Sequence, residues 1–240
     1  DRFSLSSNLI NDIETDALGR LWLATDNGIS IFLPEEDRFY RFLHNEEEQN
    51  PAANNEVRDL HLDAGGNIWI ATAQKGLYRL KPQVCETHPL AWALSLQKNK
   101  ANFPEGMDFW RNDDPRALSN SFGFITSNTA ADTLWLAGQR GLHYFSVATE
   151  TFHQFMLRGQ QLRYLNVVPF HSLYIDADNH LWAGSADNGL LRINLNDTEQ
   201  INYLNANQDN AHELKSNVIR EIMGSRSGLI WICTKFGGLH

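Results

Sequence analysis

The 240-residue sequence predicts an all-β fold, a β-propeller of four-stranded antiparallel blades with about five repeats visible. Three observations predict it. Tryptophan recurs in one local context, four short strand patterns accompany each copy, and no long stretch carries a capped helical apolar stripe. The five tryptophans of the repeat are Trp22, Trp69, Trp135, Trp182 and Trp231. Neighbouring copies lie 47, 66, 47 and 49 residues apart, close to the length of one blade.

The first two strand patterns of each repeat flank a turn of the form Asp-x-x-Gly, and the second pattern runs through the tryptophan. An aspartate at such a turn bonds the backbone ahead, and the glycine supplies a positive φ. The turn residues that we assign to the repeat are Asp16, Gly19, Asp63, Gly66, Asp176 and Gly228. The third copy has 128–132 in place of the turn, and the fifth has Ser225 at the aspartate position.

A second glycine turn, such as Asp26-Asn27-Gly28, leads into the third strand of each repeat. The fourth strand shows aromatic alternation, as in Phe39-Tyr40-Arg41-Phe42. These patterns predict blades at 5–43, 54–111, 119–156 and 167–205, an incomplete blade at 216–240, and an insertion at 82–104 within the second blade.

The residue two positions after each repeat tryptophan is small in every copy: Ala24, Ala71, Ala137, Gly184 and Cys233. Small residues there predict close packing between neighbouring blades. We therefore expect the tryptophans to pack between blades instead of binding a ligand. We also expect Cys233 to be a small buried apolar residue, since a reactive thiol needs an electropositive setting.

Composition excludes several classes of function. The chain has 29 acidic and 20 basic residues and a net charge of -9, which argues against a sequence-independent grip on nucleic acid. No apolar run approaches the roughly 20 residues that span a bilayer. Two cysteines give neither a disulfide framework nor a metal pair, and the chain has no phosphate loop, dinucleotide fingerprint or nucleophile elbow. We predict no cofactor, no metal and no catalytic residue.

The pattern Asp-x-x-Gly-x-[Leu/Ile]-Trp-[Leu/Ile]-Ala-Thr, followed by Gly-[Leu/Ile], resembles the two-component regulator propeller repeat. The connector at 112–120 resembles that family's Asp-Pro-x-x-Leu-Ser-x-Asn linker. The resemblance implies a periplasmic sensor domain, joined by a transmembrane helix to a histidine kinase, hybrid regulator or diguanylate cyclase output. Propellers of this family usually have about seven blades, so we expect the chain to be part of a larger propeller.

Ligand contacts are expected on the face where the connectors between blades and the turns between second and third strands emerge, here called the loop face. Its polar side chains suit a polar small molecule or a glycan, although ordinary solvated loop residues would look the same. The candidate ligand-binding residues are Asn11, Asp26, Arg58, Lys75, Arg140, His171, Asp187, Arg220 and Lys235.

Trp92 and Trp110 lie outside the repeated tryptophan column. A Trp-Leu cluster on an added segment can serve as a hot spot, so both residues are interface candidates and a homodimer is one expected use. The alternative is an extra strand that covers the outer side of the second blade.

Two other functions compete with a non-catalytic sensor. The first is a protein-interaction scaffold. The second is a propeller glycosidase or lyase, because the Asp-x-x-Gly-x-x-Trp turn is loosely similar to the structural Asp-box of sialidases. A sialidase also needs an arginine cluster with a tyrosine nucleophile. Arg58, Arg140 and Arg220 could supply the arginines, but no paired tyrosine and glutamate can be placed beside them.

Overall fold

The structure is a computed structural model of the chain, and it describes residues 3–42, 56–85, 106–111, 121–128, 130–206 and 214–240. Trp92, most of the 82–104 insertion and the connector at 112–120 lie outside the described residues. The described part divides into two compact units, and each is treated by itself. Unit 1 comprises Asp1–Pro115 and Asn120–Ile125, and unit 2 comprises Arg116–Ser119 and Thr126–His240.

Unit 1 contains two four-stranded antiparallel sheets, each with its strands in chain order. Blade 1 consists of β1 (Ile10–Thr15), β2 (Leu21–Thr25), β3 (Gly28–Leu33) and β4 (Arg38–Phe42). Blade 2 consists of β5 (Val57–Leu62), β6 (Ile68–Thr72), β7 (Leu77–Leu80) and β8 (Met107–Trp110), and the four-residue helix α1 (Pro82–Cys85) follows β7.

Unit 2 carries most of blade 3 and all of blades 4 and 5. Blade 3 has β9 (Phe122–Ser127), which begins in unit 1, followed by β10 (Thr133–Gly138), β11 (Leu142–Ser146) and β12 (Thr151–Phe155). A 3-10 helix at Arg163–Val167 precedes blade 4, which has β13 (Phe170–Ile175), β14 (His180–Ser185), β15 (Leu190–Asn194) and β16 (Ile201–Leu204). Blade 5 has three strands, β17 (Ile219–Gly224), β18 (Ile230–Thr234) and β19 (Gly238–Leu239). The predicted all-β propeller of four-stranded blades is therefore confirmed.

The Asp-x-x-Gly turns do more than reverse the chain. In blades 1, 2 and 4 the aspartate Oδ2 accepts a hydrogen bond of 2.8 Å from the indole Nε1 of the tryptophan six residues later. The pairs are Asp16 with Trp22, Asp63 with Trp69, and Asp176 with Trp182. The turn glycines carry the predicted positive φ, 76° at Gly19, 78° at Gly66 and 83° at Gly228. One acidic residue thus fixes both the turn and the buried end of the indole.

The second strands of blades 1 and 2 bury side chains on both faces of their sheets. Trp22, Ala24 and Ile29 of blade 1 pack in one buried cluster with Val57 and Leu60 of blade 2, which is the predicted packing between blades. The expectation for Cys233 was wrong in degree. Its thiol is half-buried and the neighbouring Trp231 is 38% exposed, because the described residues place no further blade over this face of blade 5.

The first blade shows the same effect on its opposite face. Ile10 and Ile13 are 41% and 53% exposed, whereas Val57 and Leu60, at the same positions of blade 2, are 1% and 3% exposed. The exposed apolar residues of blade 1 and of blade 5 are consistent with part of a larger propeller.

Candidate functional site

The connectors and the turns between second and third strands come together in every blade where both are described. In each of these blades the residue in front of the inner strand accepts a backbone hydrogen bond from the first residue of that turn. The bonds run from Asp26 to Leu9 in blade 1, Ala73 to Glu56 in blade 2, Ala186 to Pro169 in blade 4 and Lys235 to Val218 in blade 5, over 2.9 to 3.3 Å. Within each of these blades the connector and the turn therefore lie side by side, as predicted for the loop face.

Four of the predicted ligand residues occupy one recurring position. Between the first two pairs of the inner-strand ladder the register shifts, and the bulged residues are Asn11, Arg58, His171 and Arg220. A bulge re-aims a side chain and leaves its backbone outside the ladder. The sequence predicted that these four residues occupy equivalent positions, but no sequence pattern predicted the bulge.

In unit 1 the structure brings two predicted residues into contact. The Asn11 side-chain amide donates to Asp26 Oδ1 at 3.1 Å and to the Val57 carbonyl of blade 2 at 2.8 Å. The turn that carries Asp26 is itself held, because the Thr25 hydroxyl donates to the Gly28 carbonyl at 2.9 Å. This corner offers a carboxylate and an amide in fixed positions.

Arg58 and Lys75 belong to blade 2. The Arg58 guanidinium forms an ion pair of 2.7 Å with Glu56, and its side chain is 44% exposed. The Lys75 backbone amide donates to the Thr72 hydroxyl at 2.9 Å, which fixes the turn, and the residue is half-buried. An exposed pair of this kind adds little stability, so Arg58 is available to a ligand.

A second polar group of unit 1 was not identified from the sequence. Asp12, next to the bulge, accepts a 3.0 Å hydrogen bond from the Leu60 amide of blade 2. Burial raises the pKa of Asp12, and the bonds from Leu60 and Asp59 only partly oppose it. Burial also raises the pKa of Glu14, and the negative charge of Asp12 adds to the effect. The side chains of Asp12 and Glu14 link neighbouring inner strands, and burial of their carboxylates disfavours the charged form.

In unit 2 a tyrosine pair lies at the connector between blades 3 and 4. The hydroxyl groups of Tyr164 and Tyr203 are 2.8 Å apart, and the Tyr203 hydroxyl donates to the Asn188 carbonyl at 2.7 Å. Burial raises the pKa of Tyr164 to about 12, assisted by the bond to Tyr203 and the charge of Asp187. Tyr164 is still 45% exposed. The pair therefore presents an aromatic ring beside the predicted residue Asp187.

The backbone that carries Tyr164 is firmly anchored. Asn166 is buried, and its side-chain amide accepts from the Leu157 amide at 2.7 Å and donates to the Leu157 carbonyl at 3.1 Å. The Asn166 carbonyl accepts from the Gln154 side chain at 3.1 Å. Sequence analysis missed Tyr164 and Tyr203 because they lie 39 residues apart and meet only in the folded chain.

The remaining predicted residues of unit 2 lie on turns or inner strands of blades 3, 4 and 5. Arg140, Asp187 and Arg220 are exposed, and His171 is half-buried. Lys235 stacks over the Phe236 ring, with its ammonium nitrogen 4.9 Å from the ring centroid. Phe236 is 92% exposed and has a φ of 71°, which is unusual for a large side chain.

Asp176, Asp178 and His180 place three ligand-type atoms within 4.8 Å of one another. These atoms already serve the blade 4 turn, where Asp176 Oδ1 accepts from both the backbone amide of His180 and its ring. Burial would raise the pKa of Asp176, but the bonds from Trp182 and His180 outweigh it and lower the pKa. An Arg192 nitrogen lies 3.2 Å from the His180 ring and would repel a cation. The cluster is a variant of the Asp16 turn, where Arg20 fills the histidine position.

Trp110 lies on β8, where its ring stacks on Trp69 at a centroid distance of 5.6 Å. The Arg79 guanidinium lies 5.0 Å from the Trp110 ring centroid and bonds Asp108 at 2.9 Å from its Nε. The ring is half-buried within blade 2. Its proposed interface role stays a prediction, and so does that of Trp92.

Comparison with known proteins agrees with the fold. Residues 4–27 match the family model of the two component regulator propeller. No curated protein matches the sequence. In the described part of the chain, no helix has the length and apolar character that crossing a membrane requires.

Three solved structures illustrate the likeness. The extracellular domain of hybrid two component system BT3049 from B. thetaiotaomicron aligns with a TM-score of 0.69 and 20% identity over 100% of this chain and 27% of its own. The extracellular domain of BT4673 from the same organism aligns with a TM-score of 0.67 and 18% identity over 99% of this chain and 29% of its own. PorZ, a surface component of the type-IX secretion system of Porphyromonas gingivalis, aligns with a TM-score of 0.66 and 15% identity over 96% of this chain and 31% of its own.

This chain spans less than a third of the length of each of these neighbours. At such identities the alignment establishes the fold, and the family match adds the repeat. The chain is thus a β-propeller whose residues 4–27, in the first blade, match the model of the two component regulator propeller.

Proposed function

We propose that the chain is the periplasmic ligand-recognition domain of an inner-membrane signalling protein, of the two-component or diguanylate cyclase type, and that it is not catalytic. The observation that carries the proposal is the Tyr164–Tyr203 pair beside Asp187 on the loop face of unit 2. An exposed aromatic ring on an anchored backbone, next to the exposed carboxylate of Asp187, suits the recognition of a molecule.

The chemistry of this site favours a polar small molecule or a glycan. A tyrosine ring provides a flat apolar surface, and its hydroxyl provides a donor and an acceptor at the edge. Asp187 adds a carboxylate that can accept hydrogen bonds from hydroxyl groups. In unit 1 the Asn11–Asp26 corner offers an amide and a carboxylate in a second fixed arrangement.

The neighbours support the signalling part of the proposal. BT3049 and BT4673 are both described as extracellular domains of hybrid two component systems, which supports a location outside the cytoplasm. A sensor of this kind would work with its own transmembrane and output domains, and with a second copy if it signals as a homodimer. Signal transfer requires that the ligand bind one arrangement of the domain more tightly than another.

Thermal shift with a panel of oligosaccharides and polar metabolites tests the proposal. A ligand at 100 times its Kd stabilises the folded state by about 2.7 kcal/mol, which is readily measured. We expect Tyr164→Ala to abolish the shift without lowering the unliganded Tm. Arg226→Ala is the matched control, because this exposed residue lies on the opposite turn of blade 5, between β17 and β18.

Two outcomes would contradict the proposal. A panel that leaves the Tm of the wild-type protein unchanged would favour the interaction scaffold. Release of cleaved glycan during incubation would favour the glycosidase or lyase. Arg58→Ala and Arg220→Ala report whether the bulge residues take part, since their loss should weaken the shift if the ligand reaches the inner strands.

A further inference from the structure

A groove of about 600 Å³ runs along the outer side of unit 2. It lies between β12 of blade 3 and the loop that joins β15 to β16 in blade 4. Tyr144, Phe155, Met156 and Ile201 form its apolar walls, and Arg158 and Glu199 stand at its rim. None of these residues belongs to the loop-face site described above.

The aromatic wall of the groove is held in place by its neighbours. The Tyr144 ring stacks on the His153 ring at a centroid distance of 4.8 Å and an interplanar angle of 20°. Phe155 meets Trp135 edge-on at 5.2 Å. A preformed wall of this kind loses little side-chain entropy when something binds to it.

The strand beside the groove is an edge strand. The sheet order of blade 3 is β12-β11-β10-β9, so in the described part of the chain no strand pairs with the outer side of β12. Edge strands can accept an added segment of polypeptide, which gains affinity from the main chain and specificity from side-chain pockets.

Blade 1 shows such an arrangement within the same chain. Its edge strand β4 is covered by the N-terminal arm, here defined as Phe3–Leu5. The Phe39 amide donates to the Phe3 carbonyl at 3.2 Å, and Arg41 donates from Nε to the Ser4 carbonyl at 3.0 Å. The Phe3 ring packs edge-on against Tyr40 at 5.9 Å, at the margin of the core shared by blades 1 and 2.

The ladders of the two blades place Tyr40 and His153 at the same position. Tyr40 pairs with Ile31, which pairs with Trp22. His153 pairs with Tyr144, which pairs with Trp135. The groove in unit 2 therefore lies beside the position that the Phe3 ring contacts in unit 1.

We propose that this groove binds a peptide segment of a partner protein, whose main chain follows the outer edge of β12 and whose aromatic side chain enters between Phe155 and Ile201. The two charged residues at the rim of the groove indicate which charges the peptide carries beside its aromatic residue. Arg158 and Glu199 are 87% and 80% exposed, and their side chains approach to 3.7 Å, so each remains accessible to a residue of opposite charge. The segment therefore carries one acidic and one basic residue beside the aromatic one.

The chain itself supplies a probe of this chemistry. Its first seven residues, Asp-Arg-Phe-Ser-Leu-Ser-Ser, contain an acid, a base and an aromatic residue in succession. A fluorescein-labelled heptapeptide of this sequence is titrated with the 240-residue protein, and fluorescence anisotropy reports binding. We expect saturable binding that weakens at least ten-fold when the peptide phenylalanine is replaced by alanine.

The groove is tested with Met156→Glu, because Met156 is 55% exposed and its replacement leaves the core intact. This variant should also weaken binding at least ten-fold. Leu18→Glu is the matched control, since Leu18 is 60% exposed on a turn of blade 1, and it should bind like the wild type. Arg158→Glu should weaken binding, and a peptide with Lys at its first position should restore it.

Three results would overturn the proposal. The first is equal binding of the alanine peptide, which would remove the aromatic anchor. The second is unchanged binding to Met156→Glu, which would place the peptide elsewhere. The third is concentration-dependent self-association of the wild-type protein, seen by sedimentation and abolished by Met156→Glu, because the occupant would then be a second copy of this chain.

Discussion

Replacing Asp16 by alanine tests the role of the aspartate turn. The Asp16 and Arg20 side chains are each 5% exposed, and the Arg20 NH2 nitrogen lies 2.6 Å from Asp16 Oδ2. Trp22, fully buried, donates to the same oxygen at 2.8 Å. Asp16 Oδ1 accepts from the Leu18 and Arg20 amides, each at 3.0 Å. The substitution therefore removes the carboxylate that a buried cation and a buried indole N–H share.

Removing one partner of a buried ion pair costs about 3–5 kcal/mol, because the other charge stays buried and unpaired. We expect Asp16→Ala to lose stability in that range. The control is Ser225→Ala at the same position of blade 5. Ser225 bonds the Leu229 amide at 3.0 Å in an exposed turn, so its loss should cost only about 0.5–1 kcal/mol.

The effect should also depend on pH. Burial would raise the pKa of Asp16, but the bonds from Arg20 and Trp22 outweigh it and lower the pKa below the ordinary value of 3.8. A lowered pKa in the folded state gives stability that is present above pH 3.8 and is lost as the pH falls through the folded pKa. The gap between wild type and Asp16→Ala should therefore narrow in acid.

Urea unfolding at pH 7 and at pH 3, followed by tryptophan fluorescence, measures both effects. The reasoning would be refuted if Asp16→Ala unfolded within 0.5 kcal/mol of the wild type at pH 7, about the scale of a surface substitution. It would also be refuted if the difference between the two proteins grew on acidification.

Two further predictions concern other parts of the fold. Burial raises the pKa of Asp12, so the charge of this residue costs stability that is regained as the pH falls. Asp12→Asn should therefore raise the Tm at pH 7 and lose that advantage in acid. An equal change in Tm at both pH values would contradict this prediction. Gly189 and Gly228 both have a φ of 83°, but an added Cβ at Gly189 would lie 2.3 Å from the Leu204 carbonyl oxygen while none lies near Gly228. Gly189→Ala should therefore destabilise by clearly more than the roughly 1 kcal/mol expected for Gly228→Ala, and equal urea midpoints would rule out the steric argument.

Much of the fold follows from local sequence, because each strand pattern and each turn is encoded within a few residues. The positive φ of Gly19 and the antiparallel ladders follow from turn chemistry alone. The indole bond to Asp16 is also local, since donor and acceptor are six residues apart, yet a turn rule that considers only the backbone does not include it.

The candidate site is less accessible to sequence reasoning. The column of Asn11 was identified from its place near the entrance of the inner strand, but its bond to Val57 joins residues 46 apart. Tyr164 and Tyr203 belong to a connector and an outer strand, and no periodic pattern pairs them. The raised pKa of Asp12 likewise arises from burial between two blades, which no single repeat records.

The Asn11 side chain has a mechanical consequence. One amide group holds both the carboxylate of a turn in blade 1 and a backbone carbonyl at the start of blade 2. A ligand that binds Asp26 therefore acts on a partner of the side chain that also holds Val57, the first residue of β5. A single side chain thus couples the turn of blade 1 to the first residue of the inner strand of blade 2.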